Sequence, residues 1–244
     1  DMEGVGGVVS RSQTFTGEPG YEQAREWLTL DANAAVQGAI DGGATEVLVL
    51  DSHGANGFRN LRYDLLHPGA RYIQGTHRRD YLHLIDDSYD GFFQIGAHAM
   101  AGTQGAVLEH TMSSMNWVEM RVNGEVMGEI GTCAGAAGVF GVPFAMVSGD
   151  DKACAEAQKV CPNVECAVVK EGFSRQGAIL KPPSVVRELI REKARTAMGK
   201  LKTIEPFTVA SPTEISVRYF RNDAYEEIRE REGVRKTDPQ TVIY

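Results

Sequence analysis

The chain has 244 residues, 42% of them hydrophobic, which is enough for one large core or two modest ones. A formal net charge of −8 provides no positive field for nucleic acid or anionic lipid, and excludes a nucleic-acid partner. No apolar run approaches the ~20 residues needed to cross a bilayer and no basic-then-apolar segment opens the chain, so no membrane partner is expected and the cytoplasm is the expected compartment.

The chain opens at Asp1 on a candidate ligand loop, DMEG, with no initiator Met and no strand before it. From Tyr21 to Gly42, Ala24, Trp27, Leu28, Ala32, Ala35, Val36 and Ile40 recur near one face at helical spacing, and Gly42-Gly43 stop the run; this predicts a helix. Glu46 to Leu50 (EVLVL) predicts a short strand ending at Asp51. With a strand before Asp1 it would complete a βαβ unit, and a parallel sheet follows from that unit. His67, His77 and His83 lie in a polar stretch and read as surface or interface histidines.

Phe92 to Gly96 predicts another strand, and Val118 to Val122 beside Asn123-Gly124 one arm of a hairpin, since Asn-Gly favours a primed turn. Gly128 to Phe140 reads as a small-residue helix and Pro143 to Ser148 as a strand. Asp151 to Val160 reads as a helix capped by Asp150 or Asp151. The alternation defines an α/β fold, a parallel-rich sheet with flanking helices in a Rossmann-like layered core, over 1–170. After Lys170 the texture changes. Ser184 to Leu201 is a long amphipathic helix, Glu214 to Phe220 alternates like a half-exposed antiparallel strand, and Asp223 to Gly233 is a short helix. This predicts a smaller α+β region over 171–244. The final run, Thr241 to Tyr244, reads as a strand cut before its next element, so residues are expected beyond both ends.

Cys133, Cys154, Cys161 and Cys166 form no CxxC pair and lack the spacing of a structural zinc site; buried, reduced thiols are expected. Gly131, Gly135 and Gly138 do not have the dinucleotide-binding spacing, and no GxSxG elbow supports a serine nucleophile.

The remaining chemistry lies at the ends of apolar runs. Asp1 and Glu3, one residue apart, can face one cation from an extended segment, although for that pair alone a solvated acidic turn is the favoured reading. His53 follows EVLVLDS, where open α/β sheets place their ligand crevices, and His98 follows FFQIGA in surroundings of Gly and Ala. Each competes with a satisfied loop histidine. Glu129 opens an apolar, glycine-rich helix, where a carboxylate is costly unless paired or metal-bound. Two histidines and three carboxylates suit two divalent ions with one carboxylate bridging: zinc, with manganese or cobalt as alternatives. Two such ions ~3.5–4 Å apart share a hydroxide and polarise a carbonyl, the chemistry of hydrolysis. His110, in VLEHTMSS, can stand in the same cleft to move protons or steady an oxyanion. Glu109 beside it points the other way on an extended chain and is a poor orienter.

DMEG, LDSHG, IGAHAMAGT, LEHTMS and GEIG, in that order, resemble the motifs of the M55 peptidases, the family of bacterial D-aminopeptidase. The resemblance runs through VPFAMVSGDD and AVVKEGFSRQGA to about Leu180 and is weak beyond. Of the family's leading SxDxEG motif the chain holds the DxEG part. The resemblance implies two zinc ions per subunit, with Asp1 bridging, Glu3 and His53 completing one site, and His98 and Glu129 the other. It implies His110 as the catalytic residue, short peptides as substrates losing N-terminal residues such as D-Ala, and a homo-oligomer, in the family a ring-shaped decamer. The same two-metal site would also serve an L-selective aminopeptidase or another amidohydrolase, because stereochemical preference depends on pocket shape. The alternative outside catalysis is a metal-stabilised binding protein, against which the open coordination position and His110 argue.

Overall fold

The computed structural model describes residues 1–78 and 80–244. A long helix α1 (Tyr21–Asp41) precedes two short strands, β1 (Leu48–Leu50) and β2 (Arg71–Ile73). Strand β3 (Phe92–Ala97) follows, then the hairpin of β4 (Trp117–Val122) and β5 (Glu125–Val126). Helix α2 (Glu129–Gly138), strand β6 (Phe144–Asp150), helix α3 (Asp151–Val160) and strand β7 (Glu165–Ser174) come next. Beyond them lie β8 (Gly177–Leu180), α4 (Pro183–Lys200), β9 (Ile215–Tyr219), α5 (Asn222–Glu226), β10 (Arg235–Asp238) and β11 (Thr241–Ile243).

The architecture is the α/β layered core that the sequence predicts. Its main sheet has the order β3–β6–β7–β8, with β3, β6 and β7 parallel and β8 antiparallel. Every residue of β6 is buried, as expected for a strand covered on both faces. Ala145, Met146, Ala167 and Val169 pack under Ala35 of α1 and Val186, Ile190 and Ala194 of α4. Phe144 and Val147 pack on the other side against Ile130 and Ala134 of α2 and Ala153 and Ala157 of α3. A fully buried Ile or Phe in such a layer is worth about 2–5 kcal/mol against Ala. Asp150 caps α3, its side chain accepting from the backbone N–H groups of Lys152 and Ala153.

Three details differ from expectation. The strand at 46–50 is shorter, Leu48–Leu50, and pairs in parallel with β2, which lies inside the stretch read as polar surface. The helix expected at 223–233 is only the five residues of α5, and an isolated bridge between Arg231 and Val234 follows it. The division expected at 170/171 falls inside β7, and α4 packs on the main sheet.

A separate antiparallel sheet, ordered β10–β11–β9–β4–β5, draws on 117–126 and 215–243. Strand pairing joins segments distant in sequence, so texture along the chain does not mark its edge. Met120, Val217, Tyr219, Val234 and Val242 form its own core. Among the described residues no helix is long and apolar enough to cross a membrane. All four cysteines are free; Cys133, Cys154 and Cys161 are buried and Cys166 half-buried.

Candidate metal centre

The carboxyl ends of the parallel strands open at one end of the main sheet, where open α/β sheets hold their ligands. His98 lies immediately beyond β3, and Glu129 is the first residue of α2. The segment carrying Asp1 and Glu3 has no regular structure and lies beside β3. The backbone nitrogen of Asp1 donates to the Ile95 carbonyl at 2.7 Å, and that of Gly4 to Gly96 at 2.8 Å. The approach is close enough to need glycine on both sides. A Cβ on Gly4 would stand 2.0 Å from the Ala97 oxygen, and one on Gly96 (φ +75°) 2.1 Å from the Asp1 oxygen.

Lys170 of β7 ties this segment down. Its fully buried Nζ donates to the carbonyls of Glu3 (2.6 Å), Val5 (2.8 Å) and Val8 (2.5 Å), one acceptor for each ammonium proton. Burial nevertheless lowers its pKa to about 7. The loop of His53 is fixed by buried Asp51, which accepts from the Leu61 nitrogen (3.2 Å) and the Asn60 side chain (2.9 Å). The Asn60 amide also donates to the His53 carbonyl at 2.7 Å.

The structure brings all six predicted residues together. Asp1, Glu3 and His53 form one group, and His98, His110 and Glu129 another, with the potential ligand atoms of each group within 4.8 Å of one another. Asp1 faces both: Oδ1 is 3.0 Å from His53 Nδ1, and Oδ2 is 3.3 Å from His98 Nε2. Glu3 Oε2 lies 3.2 Å from His53 Nδ1, and Glu129 Oε1 3.3 Å from His98 Nε2 and 3.7 Å from His110 Nε2. The rings of His98 and His110 stack with centroids 3.9 Å apart.

Each histidine has its other ring nitrogen against a backbone carbonyl: His53 Nε2 on Thr14 (2.9 Å), His98 Nδ1 on Ala99 (3.0 Å) and His110 Nδ1 on Leu108 (2.9 Å). Those contacts assign the N–H to the outer nitrogen and turn the inner lone pair toward the carboxylates. In the neutral tautomers, acceptors then face acceptors across 3.0–3.3 Å. Glu3 Oε2 and His98 Nε2 are buried and have no hydrogen-bond partner. Only protons or cations relieve such a convergence, and the nitrogen–oxygen donor set fits zinc, manganese or cobalt.

With protons alone in the site, burial and the opposite charges of neighbouring groups pull against each other. Burial opposes charging His98, but Glu129 and Glu3 outweigh it and raise its pKa to about 9. Burial would raise Glu129, yet His98 and His110 hold it down at about 2. Glu3 is likewise depressed by His53 against its burial, and His53 is raised by Glu3. His110 goes the other way: burial and the neighbouring charge of His98 lower its pKa, which leaves a neutral imidazole at neutral pH.

A cavity of about 180 Å³ adjoins the centre, with Glu3 and His110 in its wall beside Arg11, Phe15, Met115 and Arg175. Glu109 does not orient His110; it accepts from Arg175 Nε at 3.1 Å and from the Gly102 nitrogen at 2.8 Å. Leu108 and Met112, on either side of His110, have positive φ (52° and 57°), so the histidine sits on a tightly shaped loop. His77 is exposed and His67 and His83 half-buried; none belongs to either group. Lys170 and the two cavity arginines were not singled out from the sequence. A lysine inside the apolar run CAVVKEGF was the available signal for the first.

An α/β layered core with imidazoles and carboxylates converging at its strand ends is the build of a metal-dependent hydrolase. The chain belongs to the peptidase M55 family of D-aminopeptidases, whose model matches residues 1–244. It is 34% identical over 220 residues to a D-aminopeptidase of Bacillus subtilis (strain 168), covering 90% of this chain and 79% of that one. Its fold superposes with a TM-score of 0.94 on the zinc-dependent D-aminopeptidase DppA from Bacillus subtilis, a self-compartmentalizing protease. That match has 31% identity and covers all of this chain and 88% of the other. The chain is thus a peptidase, and the binding-protein alternative is set aside.

Proposed function

We propose that the chain is a dinuclear zinc aminopeptidase that releases N-terminal residues, D-amino acids such as D-Ala, from short peptides. Asp1 would hold both ions, with Glu3 and His53 completing one site and His98 and Glu129 the other. The observation that carries the reading is the convergence of unpaired acceptors, above all buried Glu3 Oε2 and His98 Nε2, around Asp1. Manganese or cobalt would satisfy the same donors. Zinc, when bound in such a pair, supplies a water of lowered pKa and a polarised substrate carbonyl.

His110 handles the protons. Its Nδ1–H is committed to the Leu108 carbonyl, so Nε2 is free to accept a proton during attack and deliver it to the leaving amine, or to steady the oxyanion. Its lowered pKa keeps it in the accepting form.

The relative's description as a self-compartmentalizing protease supports a homo-oligomer here, and we extend it to the ring-shaped decamer implied by family resemblance. The cytoplasm is the proposed compartment. An L-selective aminopeptidase would use the same centre, so the hand of the substrate is the point to test. Metal content per subunit, with hydrolysis of D-Ala and L-Ala p-nitroanilides before and after chelation, tests the whole reading. Close to two zincs and chelator-sensitive release from the D substrate are expected. One zinc would remove the dinuclear part, and release from the L substrate alone would remove the D preference.

A further inference from the structure

We propose that the cavity beside the centre recognises the free C-terminal carboxylate of a short peptide, and that Arg11 anchors it. The inference rests on the aminopeptidase reading, because it takes the amino end of the same ligand to lie at the metal centre.

In a chain of net charge −8, this small cavity sets two guanidinium groups, Arg11 and Arg175, against a single carboxylate, Glu3, in its wall. The two arginines differ in a way that assigns their roles. Arg175 donates through Nε to the Glu109 carboxylate and through Nη2 to the Glu109 carbonyl, each at 3.1 Å, so its charge is compensated and its position fixed. Arg11 has no such partner. Its guanidinium carbon lies 4.0 Å from the Phe15 ring centroid and its Nη2 3.8 Å from Met115 Sδ. Among the described residues no carboxylate lies within ion-pair distance of it. Its backbone nitrogen donates to the Gln176 side chain at 3.2 Å, which fixes the root of the side chain.

Stacking on an aromatic face uses the flat side of a guanidinium and leaves its in-plane N–H fork available. That fork matches a carboxylate in bidentate fashion. A ligand with an amine at one end and a carboxylate at the other meets complementary groups in one cavity, Glu3 and the metal centre for the first and Arg11 for the second. The cavity, about 180 Å³, is below the ~300–1,000 Å³ usual for drug-sized ligands, which limits the fit to a peptide of a few small residues. Arg11 therefore acts as a length ruler: a longer peptide or a blocked C-terminus would leave the guanidinium without its partner.

The test is steady-state hydrolysis, by the zinc-loaded protein, of Ala-Ala and of its C-terminal amide, in the enantiomer that the enzyme turns over. The unaltered protein is expected to show a KM for the free dipeptide about tenfold or more below that for the amide. Arg11→Gln should raise KM for the free dipeptide by about 10–100-fold more than for the amide, the worth of a hydrogen bond to a charged group, with most of the change in KM rather than kcat. Arg11→Lys should recover part of the difference. Equal KM values for the two substrates in the unaltered protein, or an Arg11→Gln effect shared equally by both, would overturn the proposal. Absence of hydrolysis of either peptide or of Ala p-nitroanilide would be a failure of the aminopeptidase reading. Calorimetry on the metal-free protein then decides the inference: tighter binding of the dipeptide than of its amide, lost in Arg11→Gln, supports it, and equal binding overturns it.

Discussion

His98 and Glu129 are set by regular structure, one just past β3 and the other in the first turn of α2, whereas Asp1 and Glu3 lie on a segment with no strand or helix of its own. The first pair inherits its position from a ladder and a helix. The second depends on tethers from afar: three carbonyls on Lys170, a glycine-to-glycine approach to β3, and the Asn60–Asp51 clasp behind His53. The contrast teaches that half of this centre is held by polar contacts spanning up to 167 residues, and it should fail first when one contact is lost.

The largest effect should come from Asp1, which belongs to both halves. Asp1→Ala is expected to abolish binding of both zincs and lower kcat/KM by about 10⁴-fold, since metal-ion catalysis is worth several kcal/mol. Metal analysis that still finds one zinc would show that the halves bind independently and that Asp1 does not bridge. Next in size is His110→Ala, which should leave metal content intact and lower kcat by about 10²–10⁴-fold. Loss of a zinc in that variant would make His110 a ligand of the His98 half, as its 3.7 Å distance to Glu129 permits.

Lys170→Met addresses the contrast directly. It leaves three buried carbonyls without their donor, at about 1–3 kcal/mol for each one that finds no water. Zinc affinity of the Glu3 half should fall by about 10–100-fold, the usual cost of removing a group that positions ligands. Competition titration should therefore resolve one weakened and one normal site. Two equally weakened sites would mean that Lys170 supports the fold as a whole.

A smaller effect follows from pH. The raised pKa of His98, about 9, means that its pairing with Glu129 stabilises the metal-free protein fully below pH 6.5 and is lost as pH rises through about 9. Zinc needs the deprotonated ring, so its affinity for the His98 half should rise by about tenfold per pH unit toward pH 9. The zinc-induced gain in Tm should widen between pH 6 and 9. A gain that shrinks over that interval would show that His98 is not displaced by metal.

The sequence was a good guide wherever the information was local. The helix at 21–41, the strand at 92–97 and the placing of His98 and Glu129 at element ends follow from periodicity and punctuation. The six residues that the family resemblance implies lie together in the structure in two groups, which no single motif specifies. β2 escaped because RYI is a three-residue strand inside a polar stretch, stabilised by pairing with β1 rather than by its own pattern. The burial of Lys170 escaped because its acceptors belong to a segment 162–167 residues away. Arg11 carries no local signal: its significance comes from which residue it lacks.

Tyr81 gives the mildest probe of the better-built half. Its hydroxyl is 3.5 Å from Glu129 Oε2, at the limit of a hydrogen bond, while the Met112 nitrogen donates to Oε1 at 2.7 Å. The residue is 43% exposed, but desolvation of its hydroxyl, with Cys133 and Glu129 beside it, raises the phenol pKa, so the group is a donor at neutral pH. Tyr81→Phe removes that weak contact and keeps the strong one. Zinc affinity should change by less than about threefold, well short of the usual cost of losing a positioning partner. A tenfold loss in the same competition titration would mean that the second oxygen of Glu129 needs its donor. The His98 half would then rest on a distant tether as much as the Glu3 half does, and the contrast between them would disappear.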